Sequence, residues 1–230
     1  MSERPQALLF DFDGTLVDSA PSVLAALEHA LRHCGVTPRV PFTPSLIGPP
    51  LRRTLATLAG SEDAGLLDQL AAAFRDEYDS RGYRLTAVYP GVPDLLGALH
   101  DAGIALYIVT NKRIKPTRLI LEHLDWTRWF GGVYALDALQ PAAPHKSALV
   151  REVLQRHHLA AEATWMIGDS AEDRQSALAN GLRFFAATWG YGSASAGGAP
   201  EQGLSEPGAL LQAVGARPGD DTPRGMDAQR

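Results

Sequence analysis

The sequence is poor in several features that would each point to a particular kind of protein. It has one cysteine, Cys34, in 230 residues, so no internal disulfide can form, and a chain this long needs none to fold. A reducing, cytoplasmic setting fits that usage. Basic residues are in deficit, 21 Lys and Arg against 26 Asp and Glu for a formal net charge of −5, and no basic run tracks a phosphate backbone. Nucleic acid is therefore not an expected partner. No apolar run approaches the roughly 18–20 residues of a bilayer crossing, and the apolar start of the chain is interrupted at once by Asp11, too early for a signal peptide. No membrane association is expected. Aromatic residues make up only 7% of the chain, but hydrophobic residues reach 45%, enough for a substantial core and incompatible with general disorder.

What is present is an alternation of short apolar runs with longer amphipathic ones. The short runs fall at 7–10, 104–109, 132–136, 163–167 and 183–188 and predict five mostly buried strands. Between the later runs, apolar residues recur at helical spacing, as in Val92, Leu95, Leu96 and Leu99. Strand and helix in turn predict an α/β fold with a doubly wound parallel sheet. The interval 19–84 breaks the rhythm, with helical patterns at 21–33, about 49–59 and 61–80 and no strand. Ser19 is the expected cap of the first helix, and Gly35 and Gly60 are the expected stops of the first two. This predicts a helical cap inserted into a core made of 1–18 and 85–215. The tail 216–230 offers no apolar face and is expected to lack structure.

Four polar signals carry chemistry, three of them at the ends of apolar runs. The first is Phe10-Asp11-Phe12-Asp13-Gly14-Thr15-Leu16, where a buried strand ends in two acids one residue apart. Two close carboxylates in the crevice at a strand's carboxyl end demand a cation or a proton. Mg²⁺ suits them, since it takes one or two carboxylates and leaves room for phosphate and water. A calcium loop starting at Asp11 would require Glu where Ser22 stands. The second signal is Ile167-Gly168-Asp169-Ser170-Ala171-Glu172-Asp173. Alone it reads as helix capping; beside the first it places Asp169 near the same ion. The third is Val109-Thr110-Asn111-Lys112, where Thr110 and the backbone N–H groups around Asn111 can donate to phosphate oxygens. The fourth is Lys146 before a helical segment, a cation to balance a phosphoryl group among aspartates.

In this order the four signals resemble the motifs of the haloacid dehalogenase superfamily over roughly residues 7–192. The helical insert, with Ile47-Gly48-Pro49-Pro50-Leu51, Tyr89-Pro90-Gly91-Val92 and Trp189-Gly190-Tyr191-Gly192, looks like the phosphoglycolate phosphatase-like branch with its small cap. The resemblance implies Asp11 as nucleophile and Asp13 as general acid and base. It implies Thr110, Asn111 and Lys146 at the phosphate, Asp11, Asp13, Asp169 and Asp173 around Mg²⁺, and Asp173 as ligand or as support for the ligands. The expected activity is hydrolysis of a small phosphorylated metabolite, such as phosphoglycolate, a nucleoside monophosphate or a sugar phosphate, through an aspartyl phosphate. An acid at position 13 favours phosphate monoesters over haloacids or phosphonates. Arg52 and Arg53, at a helix start in the cap, are the candidates to contact an anionic substrate. Without them a glycolate-like substrate loses its main support. A sugar-phosphate mutase is the nearest alternative, and a phospho-acceptor or phospho-ligand-binding protein a more distant one. The histidines form no ligand set: His157 and His158 face different ways, and His29 and His33 lack a third partner.

Overall fold

A computed structural model describes residues 4–192 and 203–215. Its centre is a six-stranded parallel sheet in the order β5-β4-β1-β6-β7-β8. The strands are β1 (Ala7–Phe10), β4 (Ala105–Thr110), β5 (Gly132–Ala135), β6 (Thr164–Gly168), β7 (Arg183–Ala187) and β8 (Gly203–Leu204). A separate two-residue antiparallel pair joins β2 (Val17–Asp18) to β3 (Ala87–Val88). The expected strands all form, with ends within a residue of the apolar runs. The sheet is one strand wider than the sequence predicts, because β8 lies far below the length at which apolar periodicity is readable.

Side chains of successive strand residues point to opposite faces, and this divides the interior in two. Leu8, Phe10, Leu106, Ile108, Trp165 and Ile167 pack on one face, against α4 (Val92–Asp101), α5 (Ile114–His123) and α8 (Ala209–Ala213). Ala7, Leu9, Tyr107, Val109, Met166 and Phe184 pack on the other, against α6 (Lys146–Arg156) and α7 (Ala171–Leu178). With both faces covered, no position of β1 can be polar, which is why its four residues are an unbroken apolar run.

Between β2 and β3 the chain leaves the sheet as α1 (Ala20–His33), α2 (Leu51–Ala59) and α3 (Ala64–Tyr78). Leu27 and Leu31 of α1 pack with Leu67, Leu70 and Phe74 of α3 in the larger core. Helix α2 stops at Gly60 in the left-handed conformation, φ 61°, as expected. Helix α3 starts a turn later than its apolar pattern indicates, because Asp63 is the cap and its carboxylate accepts the Leu66 N–H at 2.7 Å. Replacing Asp63 by Ala should cost about 1 kcal/mol of stability, measurable as a lowered denaturant midpoint with unchanged slope. Ser19 does not cap α1; its hydroxyl is drawn to an acid in the crevice described below. The stretch 216–230 lies outside the described residues. No helix among the described residues is long and apolar enough to cross a membrane.

Candidate active site

The sheet topology selects one crevice. From β1 the chain builds outward through β4 and β5, then returns to the other side of β1 for β6, β7 and β8. The order reverses at β1, and ligands of open parallel sheets bind outside the carboxyl ends of strands at such a reversal. Phe10 is level with Ile108 of β4 and Ile167 of β6, so Asp11, Thr110 and Asp169 all emerge at the same end.

Asp11, Asp169 and Asp173 meet there, buried, with one carboxylate oxygen of each within 4.8 Å of the others. Lys146, only 2% exposed, sits among them with Nζ 2.8 Å from Asp11 Oδ1 and 2.6 Å from Asp173 Oδ1. It is the first residue of α6, whose cap is His145: the ring Nδ1 accepts the Ala148 N–H, so His145 orients the lysine's helix. Asp173 is fixed by a capping box, its Oδ2 accepting both the Ser170 N–H at 3.0 Å and the Ser170 hydroxyl at 2.6 Å. Asp169 Oδ2 accepts the Gly192 N–H at 2.9 Å, and Oδ1 has a long contact of 3.4 Å with the Thr15 hydroxyl. Glycine is required where the chain crosses this acid: a Cβ on Gly14, which has φ +86°, or on Gly190 would collide with Asp169.

Three carboxylates against one ammonium leave a deficit of positive charge. Burial first, then the Asp173 carboxylate, pushes the Asp11 carboxyl well above its ordinary range, with Lys146 opposing. Burial likewise pushes Asp169 up to about 6, with the Gly192 N–H pulling it down and Asp173 adding to the rise. For Lys146 burial acts downward, but Asp11 and Asp173 outweigh it and raise its pKa. Acids that resist ionisation together and accept hydrogen bonds as anions are those a divalent cation would satisfy. The all-oxygen donor set, with Asp11 and Asp169 least committed to other partners, fits a hard metal ion. Replacing Lys146 by Met should leave these carboxylates uncompensated, lowering stability by about 3–5 kcal/mol in a denaturant titration without metal.

The carboxylate of Asp13 does not join this group. Its Oδ1 and Oδ2 lie 3.1 and 3.2 Å from Lys112 Nζ, and Ser19 donates its hydroxyl to Oδ1 at 2.5 Å. The ammonium of Lys112 also donates to the Tyr78 hydroxyl at 2.9 Å and lies 4.7 Å from the centre of that ring. Burial lowers the Lys112 pKa, but Asp13 and Tyr78 more than restore it, for a net rise. Thr110 is buried at the end of β4, its hydroxyl oxygen accepting the Lys112 N–H at 3.1 Å. Asn111 bridges the crevice to the helical insert, donating through Nδ2 to the Gly48 carbonyl at 3.0 Å and to Glu172 Oε2 at 2.9 Å.

The two cap arginines stand elsewhere. Arg52 pairs with Asp68 at 2.5 Å on the exposed surface, and Arg53 lines a separate surface hollow with His145, Ser147 and Glu172. Neither lines the cavity of about 290 Å³ that holds Asp11, Asp13, Lys146 and Asp169. The sequence reading missed Lys112, Ser19 and Tyr78. Lys112 was legible in principle, since it directly follows Thr110 and Asn111; the other two become visible only once the helical insert folds over the sheet.

A reversal point in a doubly wound sheet, acids from two neighbouring strand tips and a buried lysine between them define a doubly wound α/β protein with a buried acidic site at its crevice. The chain belongs to the haloacid dehalogenase-like hydrolase family, whose model matches residues 8–187. It is 32% identical over 193 residues to the tyrosine-protein kinase PtkA of Mycobacterium tuberculosis, covering 84% of this chain and 65% of that one. The chain thus spans about two thirds of that relative's length. It is 33% identical over 201 residues to a phosphoglycolate phosphatase of Aliivibrio fischeri, covering 83% and 87% of the two chains. Among solved structures, the haloacid dehalogenase-like hydrolase SP0104 of Streptococcus pneumoniae matches with a TM-score of 0.79 and 29% identity over 92% of this chain and 98% of that one.

Proposed function

We propose that the protein is a Mg²⁺-dependent phosphatase that hydrolyses small phosphate monoesters through a phosphorylated Asp11. The observation that carries this reading is the buried constellation of Asp11, Lys146 and Asp169 at the reversal of the sheet. Asp11 attacks phosphorus, forming an Oδ–P bond as the P–O bond to the alcohol breaks. Asp13, on the other side of the crevice, gives its proton to the departing oxygen, then takes one from the water that breaks the Oδ–P bond. Lys146 balances charge on the transferring group, and Thr110 and the N–H groups about Asn111 orient it.

Asp11 and Asp169 are the residues to hold Mg²⁺, which supplies charge stabilisation at the phosphoryl oxygens. Both oxygens of Asp173 are already taken by Lys146 and Ser170. Its role is therefore to hold Lys146 and the start of α7 in place. Residues 19–84 act as the cap over a core of 1–18 and 85–215, limiting access to small esters and excluding water. A small phosphorylated metabolite and a lone half-buried cysteine, Cys34, support a cytoplasmic setting.

The test is phosphate release from a panel of monoesters with Mg²⁺ and with chelator. Metal-dependent turnover is expected. Transfer of the phosphoryl group back to a sugar phosphate without release of phosphate would replace this reading with a mutase.

A further inference from the structure

The stretch Trp189-Gly190-Tyr191-Gly192 takes no part in the reaction described above, yet it lies directly on the acids. Just beyond β7, Thr188 ties it to β8, the hydroxyl donating to the Leu204 carbonyl at 2.8 Å. The Gly190 N–H closes a turn on the Ala187 carbonyl at 3.2 Å, and the Gly192 N–H reaches Asp169 Oδ2 at 2.9 Å. A Cβ on Gly192 would lie 2.7 Å from the Asp169 carbonyl oxygen, so backbone meets backbone here. The orientation of the Asp169 carboxylate is thus set from residues 189–192.

The same residues grip the place where the helical insert is attached. The insert leaves the core through β2 and returns through β3, which pair Asp18 with Ala87. The Tyr191 hydroxyl donates to Asp18 Oδ1 at 2.7 Å and accepts the Ala20 N–H at 2.9 Å. That N–H is the first of α1, one of the donors that a helix start leaves without a partner in its own helix. With the Ser19 hydroxyl given to Asp13, the start of α1 is satisfied by a residue 171 positions further along the chain. Trp189 adds two contacts: its indole N–H donates to the Thr15 carbonyl at 3.0 Å, and its ring meets Tyr89, the residue after β3, with centroids 6.5 Å apart.

We propose that Tyr191 is a positioning residue for the metal, the anchor of a strap that holds Gly192 on Asp169 and couples Mg²⁺ binding to the attachment of the helical insert. The inference rests on Asp169 as a Mg²⁺ ligand, as read above. Cut from Asp18 and Ala20, the strap no longer fixes the Gly192 N–H, and the Asp169 carboxylate loses the hydrogen bond that orients it. Partners that orient a metal ligand are worth about 10–100-fold in affinity; Tyr191 acts through Gly192, which puts it at the lower end. Coupling of this kind is reciprocal. An ion that fixes Asp169 tightens the strap, and the strap in turn steadies β2 and the start of α1.

Titration calorimetry of the full-length protein with Mg²⁺ alone gives the dissociation constant without turnover. Tyr191→Phe keeps the ring, removes both hydrogen bonds of the hydroxyl and should raise that constant about tenfold. Asp18→Ala removes the anchor and should do the same, and the double variant should stay near tenfold, since both changes cut one linkage. Asp18→Asn keeps an acceptor for the Tyr191 hydroxyl and should bind Mg²⁺ as wild type does. An equal loss in Asp18→Asn and Asp18→Ala would assign the effect to charge and overturn the strap. An unchanged constant in folded Tyr191→Phe, whatever its Tm in chelator, overturns it too and leaves the phosphatase reading standing. A wild type that binds no Mg²⁺ overturns both.

Hydrogen exchange read by mass spectrometry tests the coupling from the other end. In wild type, Mg²⁺ should slow exchange about fivefold or more in peptides covering 17–22 and 87–89, and in Tyr191→Phe it should leave them near their rates in chelator. Protection by Mg²⁺ that stops at the acids in wild type, or that reaches 17–22 equally in Tyr191→Phe, means that the strap does not link the metal to the insert.

Discussion

Replacement of Asp11 by Asn should abolish turnover while leaving the fold and its stability intact. The substitution keeps shape and removes the oxyanion that the proposed mechanism uses as nucleophile, for which no other side chain among the described residues is placed to substitute. Asp169 and Asp173, the other acids of the cluster, are held by the Gly192 N–H and by Lys146 with Ser170 respectively. Loss of a nucleophile that works as a unit with its neighbours costs on the order of 10³–10⁶ in kcat. Stability should not fall with it, because burial already pushes the Asp11 carboxyl toward its neutral form and Lys146 keeps its contact with Asp173. The measurement is phosphate release alongside thermal unfolding, with acid-quenched mass spectrometry to seek a phosphoryl group on the wild-type chain. A labelled peptide containing residues 7–16 is expected from wild type and none from the variant. Asp13→Asn gives the contrast: with an activated aryl ester, whose leaving group needs no proton, the phosphorylated chain should accumulate, since water attack lacks its base. An Asp11→Asn protein that keeps more than a hundredth of its activity would remove Asp11 from the role.

The strands and acids of this site were legible in the sequence for one physical reason. A strand buried on both faces is an unbroken apolar run, so a polar residue at its end stands out, and Asp11, Thr110 and Asp169 all occupy such ends. Lys146 was legible as a lone cation between two strands, although its partners were not. What remained hidden was made by long-range packing. Ser19 fits every local rule for a helix cap, yet a buried carboxylate six residues earlier in the chain competes for its hydroxyl and wins, since a hydrogen bond to a charged group outweighs one to a backbone N–H. Nothing local marks Tyr78, and its hydroxyl acquires a role only when α3 lies over Lys112. Arg52 reads as a substrate clamp from its place at a helix start, whereas Asp68 on the facing helix takes it instead. Local pattern records which face of an element is buried; it does not record what lies opposite a polar group.

Replacement of Asp169 by Asn should stabilise the metal-free protein and at the same time abolish its response to Mg²⁺. In the unfolded chain an Asp titrates near the ordinary value, about 3.9, whereas in the fold burial holds Asp169 up at about 6. Between those values the folded protein binds more protons than the unfolded one, so its stability falls as pH rises through this window and the full cost remains at neutral pH. Asp11 is raised in the same direction. Acidifying the metal-free wild type from pH 7 toward 5 should therefore raise its Tm, until protonation of exposed, ion-paired acids elsewhere reverses the trend. Asparagine can still accept the Gly192 N–H through its carbonyl and carries no charge to desolvate. The gain at pH 7 should be about 1–3 kcal/mol, roughly 2–10 °C in Tm. On the proposed reading Mg²⁺ would bind the ionised cluster of the folded state alone, so at a hundred times its dissociation constant it should stabilise wild type by about 2.7 kcal/mol and flatten the dependence on pH between 5 and 7. The variant should show neither effect and no phosphate release. Scanning calorimetry of both proteins at pH 5 and 7, with Mg²⁺ and with chelator, resolves all of these outcomes. A variant less stable than wild type in chelator, or equally stabilised by Mg²⁺, would mean that the charge deficit of the cluster is met in some other way than by a cation at Asp169.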